Sequence, residues 1–271
     1  MRELPCAVSR ETCNRMGASF AAIITAAGSS SRMRFVQGMS VPEGLPAKKE
    51  YLPLGPDRCD SEGKPLTVLG AAVLAFAGFD EIGVIVITVP ADGEAAARAA
   101  LPRELREPPA GTPGPSIRFT GGGSTRRASV YRALSFLNSR EYSRTPRAQT
   151  PLWVLIHDGA RPWIGADLIR RVMDAVMRHS AVIPLAPLLE TPKEIDEGGF
   201  IRKHLCRSAL GLAQTPQAFA FPRILWAHER AAEQEGEYTD DAEIWGEFCG
   251  PVATVAGDRG NRKITYAEDL A

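Results

Sequence analysis

The apolar run Phe20 to Thr25 stops abruptly at Ala26-Ala27-Gly28-Ser29-Ser30-Ser31, and the first long side chains after it are Arg32 and Met33. A short apolar segment bounded in this way reads as a parallel strand buried on both faces, which needs helices to cover it. Its C-terminal end opens where α/β sheets of this kind hold ligands. Small residues there let backbone N–H groups approach an anion, and Arg32 and the later Lys49 add full positive charges. The stretch reads as a polyphosphate cradle, the plainer alternative being a strand-to-loop turn with a solvated arginine. It is neither common phosphate loop: Gly28 begins no G-x-G-x-x-G, and Gly63-Lys64-Pro65 lacks both the upstream glycine and the following Ser/Thr of a P-loop.

The rest of the chain repeats the strand-then-helix pattern. Periodicity predicts a helix over Val68 to Ala77, a strand over Ile82 to Val89, a helix over Gly93 to Leu101 capped by Asp92, and a strand over Ile117 to Thr120. Gly121-Gly122-Gly123-Ser124-Thr125-Arg126-Arg127-Ala128-Ser129 then leads into another helix, and three glycines there let backbone lie close to a flat or anionic ligand. Strands follow at Leu152 to Ile156 and Ala181 to Leu185, flanking a helix at Ala166 to His179. His157-Asp158-Gly159-Ala160-Arg161-Pro162 brings an Asp and an Arg to the same sheet edge as the first loop. Asp158 suits Mg²⁺ or a substrate hydroxyl, or else a salt bridge to Arg161; His157 reads as a packed strand residue.

Residues 186–213 break the pattern with prolines, Gly198-Gly199 and alternating character, and read as a hairpin-like arm with too little core of its own, plausible as a contact to a second subunit. Gln214 to Phe219 return to the sheet, Pro222 starts a helix, Thr239-Asp240-Asp241 cap the next, and Val252 to Val255 and Lys263 to Tyr266 read as closing strands. The expectation is an α/β fold with a mainly parallel sheet flanked by helices: a poorly ordered tail at 1–18, then one domain over 19–271. Residues 34–47 have loop composition and read either as a lid over a ligand or as a plain surface loop.

Thirty-two basic residues balance 32 acidic ones, so no overall field favours nucleic acid or an anionic membrane, and any cationic site must be local. Five cysteines without C-x-x-C spacing argue against a disulfide framework or zinc knuckle and for a reducing compartment. With no secretory pattern at the start and no membrane-length apolar run, a cytoplasmic location is expected.

In order along the chain, Ala26-Ala27-Gly28-x-x-x-Arg32-Met33, Lys49-x-Tyr51-Leu52, Gly122-Gly123-x-x-Arg126-x-x-Ser129-Val130, His157-Asp158-Gly159-Ala160-Arg161-Pro162, Thr191-x-Lys193, Thr215-Pro216-Gln217-x-Phe219, Thr239-Asp240 and Asn261-x-Lys263-Ile264-Thr265 resemble the 2-C-methyl-D-erythritol 4-phosphate cytidylyltransferases of the non-mevalonate isoprenoid pathway. The resemblance implies a Rossmann-like nucleotidyltransferase fold, a homodimer formed through the arm, and a Mg²⁺-dependent reaction of CTP with the methylerythritol phosphate that releases pyrophosphate. It implies catalytic roles for Arg32, Lys49, Arg207 and Lys263. Nucleotide contacts would come from Ala26, Ala27, Gly28, Ser29, Ser30, Gly122, Gly123, Arg126, Ser129 and Asp158. Substrate contacts would come from Asp158, Arg161, Thr191, Arg207, Thr215, Thr239 and Lys263, with Thr191 and Arg207 reaching the neighbouring subunit's site. No residue is assigned as the metal ligand.

The chain departs from the family's common pattern at Ser30 (often Gly), Lys48 (Pro), Glu50 (Gln) and Glu190 (Asp), in a longer 34–47 loop, and in stopping at Ala271 before an expected terminal helix. The nearest rival is a cytidylyltransferase for another polyol phosphate such as ribitol 5-phosphate, against which Thr191-Pro192-Lys193 weighs modestly. A nucleotide-binding protein without catalysis is a second rival.

Overall fold

The computed structural model describes residues 19–29, 48–108, 111–112, 114–145, 148–234 and 236–270. The 1–18 tail, Ser30, Arg32 and the 34–47 loop lie outside these. In chain order come β1 (Phe20–Thr25), a 3₁₀ turn at Lys49–Tyr51, α1 (Val68–Ala77), β2 (Ile82–Val89), α2 (Glu94–Ala99), β3 (Ser116–Gly121), α3 (Arg126–Leu137), β4 (Trp153–Asp158), α4 (Ala166–His179) and β5 (Ala181–Pro187). They are followed by β6 (Lys193–Ile195), β7 (Ile201–His204), β8 (Gly211–Ala213), β9 (Gln217–Ala220), α5 (Phe221–Ala232), α6 (Asp241–Phe248) and β10 (Ala253–Ala256).

The main sheet runs β10-β5-β9-β4-β1-β2-β3. β1 pairs in parallel with both β2 and β4, as does β3 with β2 and β10 with β5, while β9 lies antiparallel between β4 and β5. β8 continues antiparallel pairing along β5, so β8 and β9 act as one strand interrupted at Gln214 to Pro216. The β-branched centre of β1, β2 and β4 is buried because helices cover both faces of the sheet: α1 contacts α4, and α3 contacts α5. Thr67 starts α1 by accepting a hydrogen bond from Gly70 N at 2.9 Å, and Thr125 starts α3 by accepting from Ala128 N at 3.1 Å.

Two expectations fail here. Asp92 does not cap α2: it sits at φ 60°, and the capping position falls to Gly93, which makes no side-chain cap bond. Lys263 to Tyr266 form no strand; Ile264 N instead donates to Ala160 O at 2.8 Å, which ties that segment to the loop after β4. β6 and β7 form a separate two-stranded sheet within 186–213, with Phe200 75% exposed at its turn and Leu189, Ile195 and Leu212 exposed nearby.

Candidate active site

Successive strands are added to one side of β1 through β2 and β3, and to the other side from β4 onward. The two directions part between β1 and β4, where a crevice opens at the carboxyl ends of the strands. Thr25 and Asp158 are register partners at that point, and their side chains meet, with Thr25 Oγ1 3.4 Å from Asp158 Oδ1. The crevice holds about 510 Å³. Its walls are the loop after β1 (Ala27, Gly28, Ser29), the turn before α3 (Gly123, Ser124, Thr125), the 3₁₀ turn carrying Lys49 and Glu50, and the segment carrying Lys263 and Thr265.

Cations converge on Asp158. Lys263 Nζ lies 2.8 Å from Oδ2, Arg126 Nε 3.2 Å from Oδ1, and Arg161 Nε 3.7 Å from Oδ2. Burial alone would raise the Asp158 pKa, but the charges of Arg126, Lys263 and Arg161 outweigh it and hold the carboxyl well below its ordinary range. Arg161 is the weakest partner, because its NH1 is committed to Asn261 O at 2.8 Å. Lys49 Nζ donates to Ile264 O at 2.7 Å, which brings both lysine-bearing segments to one wall. Leu52, Leu54, Val68 and Ile264 form the apolar cluster beneath them.

Small residues in and next to the walls serve packing as much as access. A Cβ on Gly122 would come within 2.1 Å of the Ala27 Cβ, so the two loops touch only because Gly122 has no side chain. Ser129 Oγ accepts from Gly123 N at 3.0 Å and donates to Thr125 O at 2.9 Å, which fixes the turn ahead of α3. Lys48, buried beside Glu50 at 3.2 Å, donates to Gly28 O and ties the 3₁₀-turn segment to the loop after β1.

Under the crevice lies a buried relay. Thr215 Oγ1 accepts from Asp158 N at 3.1 Å and stands 3.0 Å from His157 Nδ1, while His157 Nε2 stands 3.2 Å from Arg161 O. Burial pushes the His157 pKa down to about 4, so the imidazole is neutral at pH 7. Asn261 Nδ2 donates to Thr215 O at 2.7 Å and anchors the Lys263 segment to the β8–β9 junction.

Of the sequence candidates, Ala27, Gly28, Ser29, Lys49, Gly123, Arg126, Ser129, Asp158 and Lys263 line this crevice together. Ala26 and Thr215 are buried behind it, and Arg161 lies beside Asp158 without lining it. Thr239 stands apart: its N and Oγ1 both bind Glu243 Oε2 ahead of α6. Thr191 and Arg207 lie on the arm, where Arg207 NH1 donates to Leu189 O at 2.7 Å; in one chain they are not part of the crevice. Ser30 and Arg32 lie outside the described residues. Sequence reasoning missed Thr25, Glu50, Thr88, Ser124, Thr125, Ala160 and Thr265 as lining residues, although strand ends pointed to Thr25 and Thr88, and the motifs around Lys49, Gly123, Asp158 and Lys263 contained the other five.

A mainly parallel sheet whose switch point holds a cation-rich crevice walled by small residues is the arrangement of the Rossmann-like nucleotidyltransferase fold. The chain matches the family model described as "IspD: 2-C-methyl-D-erythritol 4-phosphate cytidylyltransferase" over residues 20–271, and it belongs to that family. It is 38% identical over 253 residues to the bifunctional enzyme IspD/IspF of Bradyrhizobium sp. strain ORS 278, a match covering 92% of this chain and 54% of that protein. The chain thus spans about half the length of the curated relatives it matches. Among solved structures, 4-diphosphocytidyl-2C-methyl-D-erythritol synthase from Anaerococcus prevotii superposes with a TM-score of 0.69 at 26% identity, over 93% of this chain and 92% of that one. The 2-C-methyl-D-erythritol 4-phosphate cytidylyltransferase from Thermus thermophilus superposes with a TM-score of 0.62 at 28% identity, over 92% and 94%.

Proposed function

We propose that this chain transfers the cytidylyl group of CTP to 2-C-methyl-D-erythritol 4-phosphate, giving 4-diphosphocytidyl-2-C-methyl-D-erythritol and pyrophosphate. The observation that carries the reading is the convergence of Lys49, Arg126 and Lys263 on one crevice at the β1/β4 switch point. In the reaction an oxygen of the substrate phosphate attacks the α-phosphorus of CTP, the bond from that phosphorus to the α–β bridging oxygen breaks, and the electron pair leaves on pyrophosphate. Two anions must be brought together, and charge builds on the oxygens in flight, so positioning and fixed cations supply the catalysis.

In this reading Ala27 to Ser29 and Gly123 receive the nucleotide, Arg126 binds its phosphates, and Lys49 stabilises the transferring phosphoryl group, with Arg32 assigned to the same task. Lys263 orients the attacking phosphate. Of the two carboxylates that line the crevice, Asp158 and Glu50, Asp158 at the strand end would be the one to hold Mg²⁺, which characteristically takes one or two carboxylates and completes its shell with substrate phosphates and water. Among the described residues no group of three or more His, Cys, Asp or Glu is arranged as a metal cage, so a metal here would be shared with the triphosphate. Bound Mg²⁺ would neutralise phosphate charge.

The exposed arm supports a homodimer in which Thr191 and Arg207 serve the partner's crevice, and a cytoplasmic location fits a chain whose described helices include none long and apolar enough to cross a membrane. The test is phosphorus NMR of the protein with CTP, Mg²⁺ and methylerythritol phosphate. Paired diphosphate resonances of the product beside free pyrophosphate are expected. CTP left intact by well-folded protein would overturn the assignment.

A further inference from the structure

Arg126 is held from two sides. Its Nε faces Asp158 in the crevice, while its NH1 reaches back to Asp241 Oδ2 at 2.7 Å. Asp241 is the first residue of α6, has no solvent exposure, and lies 115 residues further along the chain. Its other oxygen, Oδ1, is 3.1 Å from Nε2 of His228 on α5, which is also wholly buried. A carboxylate only accepts hydrogen bonds, so Nε2 of His228 carries the proton. His228 Nδ1 is buried with no hydrogen-bond partner among the described residues, leaving the donation to Asp241 as the ring's one directed bond. Gln217 Oε1 accepts from the backbone N–H groups of both Asp241 and Ala242 at 3.1 Å, fixing where the carboxylate stands.

Stability alone is a poor reason for this arrangement. A fully buried carboxylate is costly unless its partners are well placed, and well-packed apolar residues of similar volume often stabilise a fold at least as well as a buried ion pair. What the carboxylate does secure is the direction of a guanidinium that lines the crevice. Without it, Arg126 would keep only its pairing with Asp158 among the carboxylates of the described residues, and its guanidinium would lose the second anchor that sets its direction. Between pH 7 and 8 Asp241 stays charged: burial would raise its pKa, but Arg126 and His228 hold it below the ordinary range.

We propose that Asp241, oriented by His228, is a positioning residue that holds Arg126 toward the nucleotide, so that CTP affinity depends on two side chains with no surface in the crevice. The inference rests on the reading of the crevice as a CTP site.

Calorimetric titration of CTP and steady-state kinetics on the full chain test it. Asp241→Asn keeps the size but removes the charge and leaves one acceptor oxygen for two donors, Arg126 NH1 and His228 Nε2, and should raise the CTP dissociation constant on the order of tenfold or more, the scale of a lost charge-assisted hydrogen bond, with kcat changed much less. His228→Leu should follow it. His228→Gln, which can still donate from a similar place, should stay within about threefold of wild type. Imidazole nitrogen shifts should show the His228 proton on Nε2. If Asp241→Asn fails to fold, the two His228 variants carry the test alone. Folded variants that lose thermal stability yet bind CTP like wild type would overturn the inference, as would a Gln variant as weak as the Leu one. Wild-type protein that binds no CTP would overturn the site reading, and the inference with it.

Discussion

The ammonium of Lys263 lies 2.8 Å from Asp158 Oδ2, joining a strand end to a segment 105 residues later in the chain. The lysine is about one-third exposed and the carboxylate nearly buried, so the lysine can exchange its partner for a phosphate while Arg126 still holds Asp158. Lys263→Met should therefore lower kcat/KM for the polyol phosphate on the order of 10²–10³, as loss of one preorganised charge donor does. A change within about threefold in steady-state assays would make Lys263 only a structural partner of Asp158.

His157 gives a pH signature. Its folded pKa of about 4 lies below the ordinary value near 6.5, because burial disfavours the charged ring. Between those values the unfolded chain binds a proton that the native state refuses. Stability should thus be fully present above about pH 6.5 and decline as pH falls toward 4, by at most about 3 kcal/mol from this group. Melting temperatures of wild type and His157→Gln from pH 7 to pH 4 check this: the wild-type curve should fall more steeply. Parallel curves would mean that His157 does not titrate in that window.

Gly122 should tolerate no side chain. A methyl group there would meet the Ala27 Cβ at 2.1 Å, so either the loop after β1 or the turn before α3 must move. Gly122→Ala should cost about 1–3 kcal/mol in denaturant unfolding and weaken CTP binding as well. Gly28→Ala, where a Cβ would meet nothing within 4 Å, is the control expected to leave stability nearly unchanged.

Lys48 and Glu50 form a buried pair beside the crevice, with side chains 7% and 5% exposed. Breaking such a pair from one side is costlier than removing both charges. Lys48→Met should lower the melting temperature more than Lys48→Met/Glu50→Gln does; equal losses would show that the two charges are not coupled.

The parallel sheet was legible in the sequence because its strands are buried on both faces and therefore read as continuous β-branched runs: β2 and α1 are found over the residues expected. β4 extends past its apolar run to His157 and Asp158, whose polar side chains find their partners, Thr215 and the crevice cations, elsewhere in the chain. Lys263 to Tyr266 looked like a strand by composition, yet its hydrogen bonds go to the loop after β4. The crevice was legible where small residues and cations mark strand ends. It was not legible at Asp241, which reads as a helix cap but whose carboxylate turns inward to Arg126 and His228; the neighbouring Asp240 makes the cap bond, accepting from Glu243 N at 2.9 Å. Local pattern finds the cap at Asp240 yet misplaces the one at Asp92, and a buried pair across 115 residues leaves no periodic trace.

The most direct test is pyrophosphate release from CTP and Mg²⁺, measured with 2-C-methyl-D-erythritol 4-phosphate and, separately, with ribitol 5-phosphate, for wild type and Lys49→Ala. Release with the methylerythritol substrate alone is expected, with a kcat in the variant lower on the order of 10²–10³ and a much smaller rise in KM for CTP. Release only with ribitol 5-phosphate, or with neither substrate, would overturn the assignment of substrate and of Lys49.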